Sequence, residues 1–162
     1  MAVTRVPVTH LSARLGQLNA DYARAIDDDR LEDWPELFVD DCLYTITSAD
    51  NHRRHLPGGL VYADSKGMLQ DRVRALREAN IYERQTYRHL VGLPAILGER
   101  DGGTRTETPF LVVRIMRDGR MDLFATGRYL DLVVEEAGEL RFRERVVVCD
   151  SSRVDTLLAL PL

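Results

Sequence analysis

Cysteine, tryptophan and long apolar runs are all scarce in this chain. Two cysteines occur in 162 residues, Cys42 and Cys149, far apart and each inside a strand-like run. That spacing excludes the disulfide framework of a small secreted domain and leads to an expectation of two buried free thiols in a reducing compartment. No apolar run approaches the roughly 18 residues that a membrane span requires. Residues 1–10 lack the apolar stretch of a secretion signal, so a cytoplasmic location is expected. A formal net charge of −4 argues against nonspecific nucleic-acid binding, which needs a clustered positive field. Pro57-Gly-Gly59 and Gly102-Gly103 lack the spacing of a phosphate-cradling loop. No Gly-x-Ser-x-Gly nucleophile elbow occurs, and no repeat or low-complexity segment appears.

What is present is ordinary globular material: 44% hydrophobic and 30% charged residues, enough for a core in one domain over 1–162. Residues 1–9 are expected to form a flexible tail. Leu11, Leu15, Leu18, Tyr22 and Ile26 recur at helical spacing, with Thr9 as a candidate cap. A short second helix is predicted through Trp34, Leu37 and Phe38, with Pro35 in its first turn and Trp34 as a core anchor. Cys42–Thr47 is dense in β-formers, and residues 48–59 read as a loop. A third helix, capped by Asp64 or Ser65, turns Met68, Leu69, Val73 and Leu76 inward.

From Arg88 the pattern changes to strands. His89 to Leu97 is one candidate, interrupted by Pro94 as at an edge or a bulge. Pro109 to Arg117 and Met121 to Val134 flank Asp118-Gly119, a two-residue hairpin signal. Leu140 to Asp150 closes the series. There Leu140, Phe142, Val146 and Val148 are expected on one face, opposite Arg141, Arg143, Arg145 and Cys149. The fold class is therefore α+β, with three helices on one face of a curved, mainly antiparallel sheet. The order resembles the cone of the nuclear-transport-factor-2-like superfamily.

Three sets of residues could carry function. Asp50, His52 and His55 have a spacing that could suit a metal, but two arginines intervene, and a solvated basic loop is the plainer reading. His89 with Asp27 or Asp41, and Tyr44, could form the general base and proton relay that cone-shaped domains often hold. The plainer alternative is that His89 makes a structural hydrogen bond. Arg72, Arg74, Arg77, Arg84 and Arg88, interleaved with Tyr82 and Tyr87, read either as a solvated face or as a protein interface, where arginine and tyrosine are enriched.

Several motifs occur in order from about Leu18 onward. They are Asp27-Asp-Asp-Arg-Leu-Glu-Asp-Trp34, Leu37-Phe-Val-Asp-Asp-Cys-Leu-Tyr44, Ala63-Asp-Ser65, Met68-Leu-Gln-Asp-Arg-Val73 and Arg88-His-Leu-Val91. Together they resemble the small (beta) subunits of aromatic-ring-hydroxylating dioxygenases. Residues 75–84, 148–151 and 155–162 resemble the terephthalate branch of that family. The resemblance implies a structural small subunit of an oxidoreductase, non-catalytic by itself and without cofactor. It implies an α3β3 assembly with a trimeric beta base, and electrons arriving indirectly through a reductase. A Rieske 2Fe-2S cluster and a mononuclear iron would lie in the partner large (alpha) subunit. Consistent with that, Cys42 is followed by Leu-Tyr and Cys149 by Asp-Ser, so neither forms the Cys/His pair that a Rieske centre requires.

Overall fold

The computed structural model describes residues 8–79, 84–153 and 158–162, with side chains from His10 onward. Helix α1 (Val8–Asp27) buries Leu15, Leu18, Tyr22 and Ile26, the stripe that the spacing predicts. It begins at Val8, so Thr9 lies inside the helix and not ahead of it. Residues 1–7 of the expected tail lie outside the described residues.

The predicted second helix is a single 3-10 turn, Pro35–Leu37, with Pro35 in its first position and Trp34 before it. Phe38 already belongs to strand β1 (Phe38–Ser48). Residues 48–59 are not wholly loop. Helix α2 (Ala49–Arg53) forms there because the Ser48 hydroxyl accepts the Asn51 N–H, satisfying one of the orphan donors of a helix start. After β2 (Val61–Ala63), helix α3 (Lys66–Ala79) is capped by Ser65, whose Oγ accepts the Met68 N–H at 3.2 Å. Leu69 and Val73 are buried as expected, whereas Met68 is 41% exposed.

His89 to Leu97 is two strands, β3 (Gln85–Val91) and β4 (Ala95–Arg100). Pro94 lies between them, where its missing N–H costs no ladder bond. The long strands β5 (Gly103–Met116), β6 (Met121–Glu136) and β7 (Glu139–Cys149) follow. The hairpin around Asp118-Gly119 has a four-residue loop, 117–120, and not a two-residue one. Asp101-Gly102 and Ala137-Gly138 make the two-residue turns, all four residues having positive φ.

The sheet runs β2-β1-β7-β6-β5-β3, with β4 pairing β5 beyond the end of β3. Every pairing is antiparallel except β1 with β7. The concave face packs on α1 and α3. Helix α2 instead leans over the outer face, where His52 shares a cavity of about 370 Å³ with Thr45, Thr47 and Val146. This is the nuclear-transport-factor-2-like cone, with an aromatic core of Tyr22, Trp34, Phe38, Tyr44, Tyr129 and Phe142.

Candidate functional site

Strand alternation places Arg145 on the outer face of β7, yet its side chain is fully buried. The cause is a bulge. Leu132 pairs with Glu144 while Val133 pairs with Phe142, so Arg143 is an extra residue in β7. One extra residue reverses the facing of everything beyond it, so that Phe142, Arg145, Val147 and Cys149 all point inward.

Asp131 receives Arg145 in a two-pronged pair: Nε donates to Oδ1 at 2.9 Å and Nη2 to Oδ2 at 2.8 Å. Nη2 also donates to Asn19 of α1. The guanidinium lies 4.2 Å from the Tyr22 ring centroid and 3.9 Å from those of Tyr129 and Phe142. Burial by itself disfavours the Arg145 charge, but the charge and hydrogen bonds of Asp131 outweigh it and hold the group protonated. Burial pushes the Tyr22, Tyr44 and Tyr129 phenols up, leaving three neutral donors in the interior.

The C-terminal end of α1 and the middle of β3 meet at a second pair. Asp27 accepts from the backbone N–H of His89 at 2.8 Å and lies 2.6 Å from its Nδ1. The Nε2 of the same ring is buried with no hydrogen-bond partner among the described residues. Two of the three residues considered for a proton relay thus come together, but Tyr44 does not join them. Its hydroxyl lies 3.3 Å from that of Tyr22 and donates to the main-chain oxygen of Leu162 at 3.2 Å. The His89 side chain has no exposed surface and Asp27 only 4%.

The arginines divide. Arg77 is turned back on its own chain, with hydrogen bonds to Glu32 at 2.7 and 2.9 Å and to the side chain and carbonyl of Asp29, both at 2.8 Å. That clasp holds the Glu32 carboxyl at about 2. Arg74 pairs with Asp71 at 3.0 Å on the exposed face of α3. Arg84 lines an open cavity of about 430 Å³ with Thr86, Ile115 and Arg117. Arg88 is exposed, 3.9 Å from Asp27. Tyr87 does not contribute to this surface: it is 2% exposed and its ring packs on Phe124, with centroids 5.3 Å apart. Tyr82 lies outside the described residues.

Outward-facing apolar residues accompany these arginines, a signal that the sequence reading missed. Leu90, Leu93, Met121 and Leu123 are 61, 89, 71 and 66% exposed. Strand alternation could have placed Leu90 opposite the buried His89, but Leu123 has the parity of the buried Ala125 and Tyr129 and is turned outward only by the extra residue Phe124.

The donor residues do not suit an iron centre. Among the described residues no three His, Cys, Asp or Glu side chains gather to hold a metal, and Asp50 is occupied by Arg53 and Arg54. Cys42 and Cys149 are free and buried, with thiols pushed up to about 11 by burial, whereas a metal ligand must be a thiolate. No helix among the described residues is long and apolar enough to cross a membrane.

Residues 21–156 match the family described as ring hydroxylating beta subunit. The beta 2 subunit of the terminal oxygenase component of terephthalate 1,2-dioxygenase from Comamonas sp is 50% identical over 149 residues, 92% of this chain and 97% of that one. The small subunit of anthranilate 1,2-dioxygenase from Burkholderia cepacia is 44% identical over 141 residues, 87% of this chain and 88% of that one. Among solved structures, the beta subunit assigned to an aromatic-ring-hydroxylating dioxygenase of Novosphingobium aromaticivorans superposes with a TM-score of 0.87. It shares 38% identity and covers 96% of this chain and 99% of that one. A sealed cone, an Arg-rich and apolar outer surface and these likenesses agree: the chain belongs to the ring hydroxylating beta subunit family and is the beta subunit of a ring-hydroxylating dioxygenase.

Proposed function

We propose that this chain is a scaffold that pairs with a catalytic large (alpha) subunit in an α3β3 assembly, three beta chains forming the base. The large subunit holds the Rieske cluster and the mononuclear iron, and a reductase supplies electrons to it. The oxygenase acts in the cytoplasm on an aromatic carboxylate of the terephthalate class. Half-identity to the Comamonas beta subunit over nearly its whole length supports that substrate class.

The observation that carries the scaffold reading is the contrast between inside and outside. His89 and Asp27, the residues best suited to proton transfer, are closed off, while Leu90, Met121 and Leu123 stand on the outer surface near Arg88. Uncovered apolar side chains beside arginine are the composition of a protein interface. A stand-alone isomerase, dehydratase or hydrolase built on the His89–Asp27 pair has the 2.6 Å contact in its favour. It also needs a path from solvent to the ring, and a side chain with no exposed surface lacks one.

The test is co-expression of this chain with a Rieske large subunit and light scattering of the purified complex. A mass of three plus three chains is expected, with iron tracking the large subunit. Leu123→Asp should weaken that assembly about tenfold or more, because it places a charge in a desolvated patch. A chain that stays alone, or turnover by the large subunit that is unchanged without it, would overturn the scaffold role.

A further inference from the structure

The two ends of the sheet carry unpaired charge of opposite sign. In the order β2-β1-β7-β6-β5-β3, β2 and β3 are the outermost strands. On the outer face at the β3 end stand Arg88 and Leu90, alternating with the buried Tyr87 and His89. The ionic contact of Arg88 among the described residues is a distant one, 3.9 Å from Asp27. Arg84 and Arg117 line one cavity at the start of β3. Both are exposed and form no ion pair among the described residues.

At the β2 end the sign reverses. Tyr62 and Asp64 are exposed in alternation with the buried Val61 and Ala63, and Asp41 is exposed on β1. Neither Asp41 nor Asp64 forms an ion pair among the described residues. The cations that flank β2 in sequence are engaged: Arg53 and Arg54 by Asp50, Lys66 by Glu36 and Asp40.

The two ends also differ in relief. Leu93, 89% exposed, projects from the short β3–β4 connection, where the Gly92 N–H donates to the Pro109 carbonyl at 2.8 Å. The β2 end is hollow instead, and Leu56, Pro57, Tyr62 and Thr45 line the outer-face cavity of about 370 Å³. Leu56, Leu60 and Tyr62 there are 44, 55 and 58% exposed. A twofold contact centred on either end sets like charges together, whereas a heterologous contact sets the basic, projecting end on the acidic, hollow one.

We propose that the β3 end of one copy docks on the β2 end of the next, head to tail, and that three such contacts close a ring. This rests on the reading of three beta chains as a base, and it assigns the two surfaces that form that base. Leu93 enters the neighbour's hollow between Leu56 and Tyr62, with Leu90 beside it. Arg84 and Arg88 face the neighbour's Asp41 and Asp64. The apolar centre supplies most of the affinity, and the charged rim sets direction and register.

Sedimentation equilibrium of the full chain over a range of concentrations tests the pairing, and a trimer is expected. Arg88→Glu and Asp64→Lys should each raise the concentration at which half of the chain is trimeric about tenfold or more, because each sets like charges together. Both changes in one chain should recover most of that loss, since every contact in the ring then has its charges exchanged. Leu93→Asp, remote from Asp27 in sequence, should weaken the trimer in the same way and stands in should Arg88→Glu not fold by circular dichroism. A dimer, a monomer at every concentration, or a trimer indifferent to Asp64→Lys and Leu93→Asp overturns the proposal. So does a double variant no better than its parents. Binding to a Rieske large subunit is scored separately. A chain that binds it without forming this trimer sinks the proposal and leaves the scaffold reading standing, whereas a charge-rescued trimer that binds no large subunit does the reverse.

Discussion

A guanidinium stacked among three aromatic rings keeps its charge because Asp131 answers it in the same dry space. Removing one partner leaves the other charge buried and uncompensated, so Arg145→Ala should cost about 3–5 kcal/mol. Replacing the pair with apolar side chains, as in Arg145→Met with Asp131→Leu, removes both desolvation penalties and should restore most of that loss. Urea unfolding of the three chains checks the ordering. Glu32 makes the opposite case, at the surface. Clasped by Arg77, its carboxyl sits at about 2 against an ordinary 4.5. A folded-state value below the unfolded one means that the clasp stabilises above about 4.5 and is lost as pH falls through about 2. Because Glu32 is 62% exposed, its contribution should stay below about 1 kcal/mol. Urea midpoints of the unaltered chain and Glu32→Gln should differ steadily from pH 6 to 5 and converge below pH 4.5. At this scale the sequence showed Asp27 and His89 as candidate partners, because an acid ending a helix and a histidine in a strand are visible by type. It did not show Arg145 as an interior residue, since nothing local marks the bulge that turns it inward.

Elements with a strong repeating pattern were legible, and those decided by a single residue were not. Four inward residues of α1 follow from their spacing alone. Asp64 and Ser65 are both legible as caps because a short polar side chain ahead of an apolar-periodic run has a mechanism, and Ser65 is the one that caps. Ser48 has the same chemistry, but α2 is only five residues long and offers no periodicity to recognise. The facing of β7 was misread because alternation counts residues, and the extra Arg143 breaks the count. Where β6 meets β7, Gly127 leaves no room for a side chain: a Cβ there would lie 2.0 Å from the Val148 carbonyl oxygen and 3.0 Å from the Phe110 ring. Gly127→Ala should therefore force the two strands apart and cost about 1–3 kcal/mol. Gly16, inside α1 with nothing within 4 Å of its would-be Cβ, is the matched control. Gly16→Ala should stabilise by up to about 1 kcal/mol. Thermal melts of the two alanine variants should move in opposite directions.

On the scale of the whole molecule, the cone followed from element order, but its strand neighbours did not. Consecutive hairpins explain β4 to β7, since each strand folds back on the one before it. Nothing in the pattern shows that β1 lies beside β7, or that they run parallel. That pairing brings α1, α3 and the segment 158–162 over a common floor and closes the aromatic interior. It also sets an order of events during protein synthesis. Leu43 finds its partner only when Glu144 has left the ribosome, and Tyr22 and Tyr44 wait longer still, for Leu162. Every residue up to β7 must therefore emerge while this edge of β1 stays unpaired. Contacts that join the two ends of a chain in this way form slowly and leave sticky intermediates in the meantime. A nascent beta subunit is thus exposed to misassociation until β7 and the segment 158–162 have emerged.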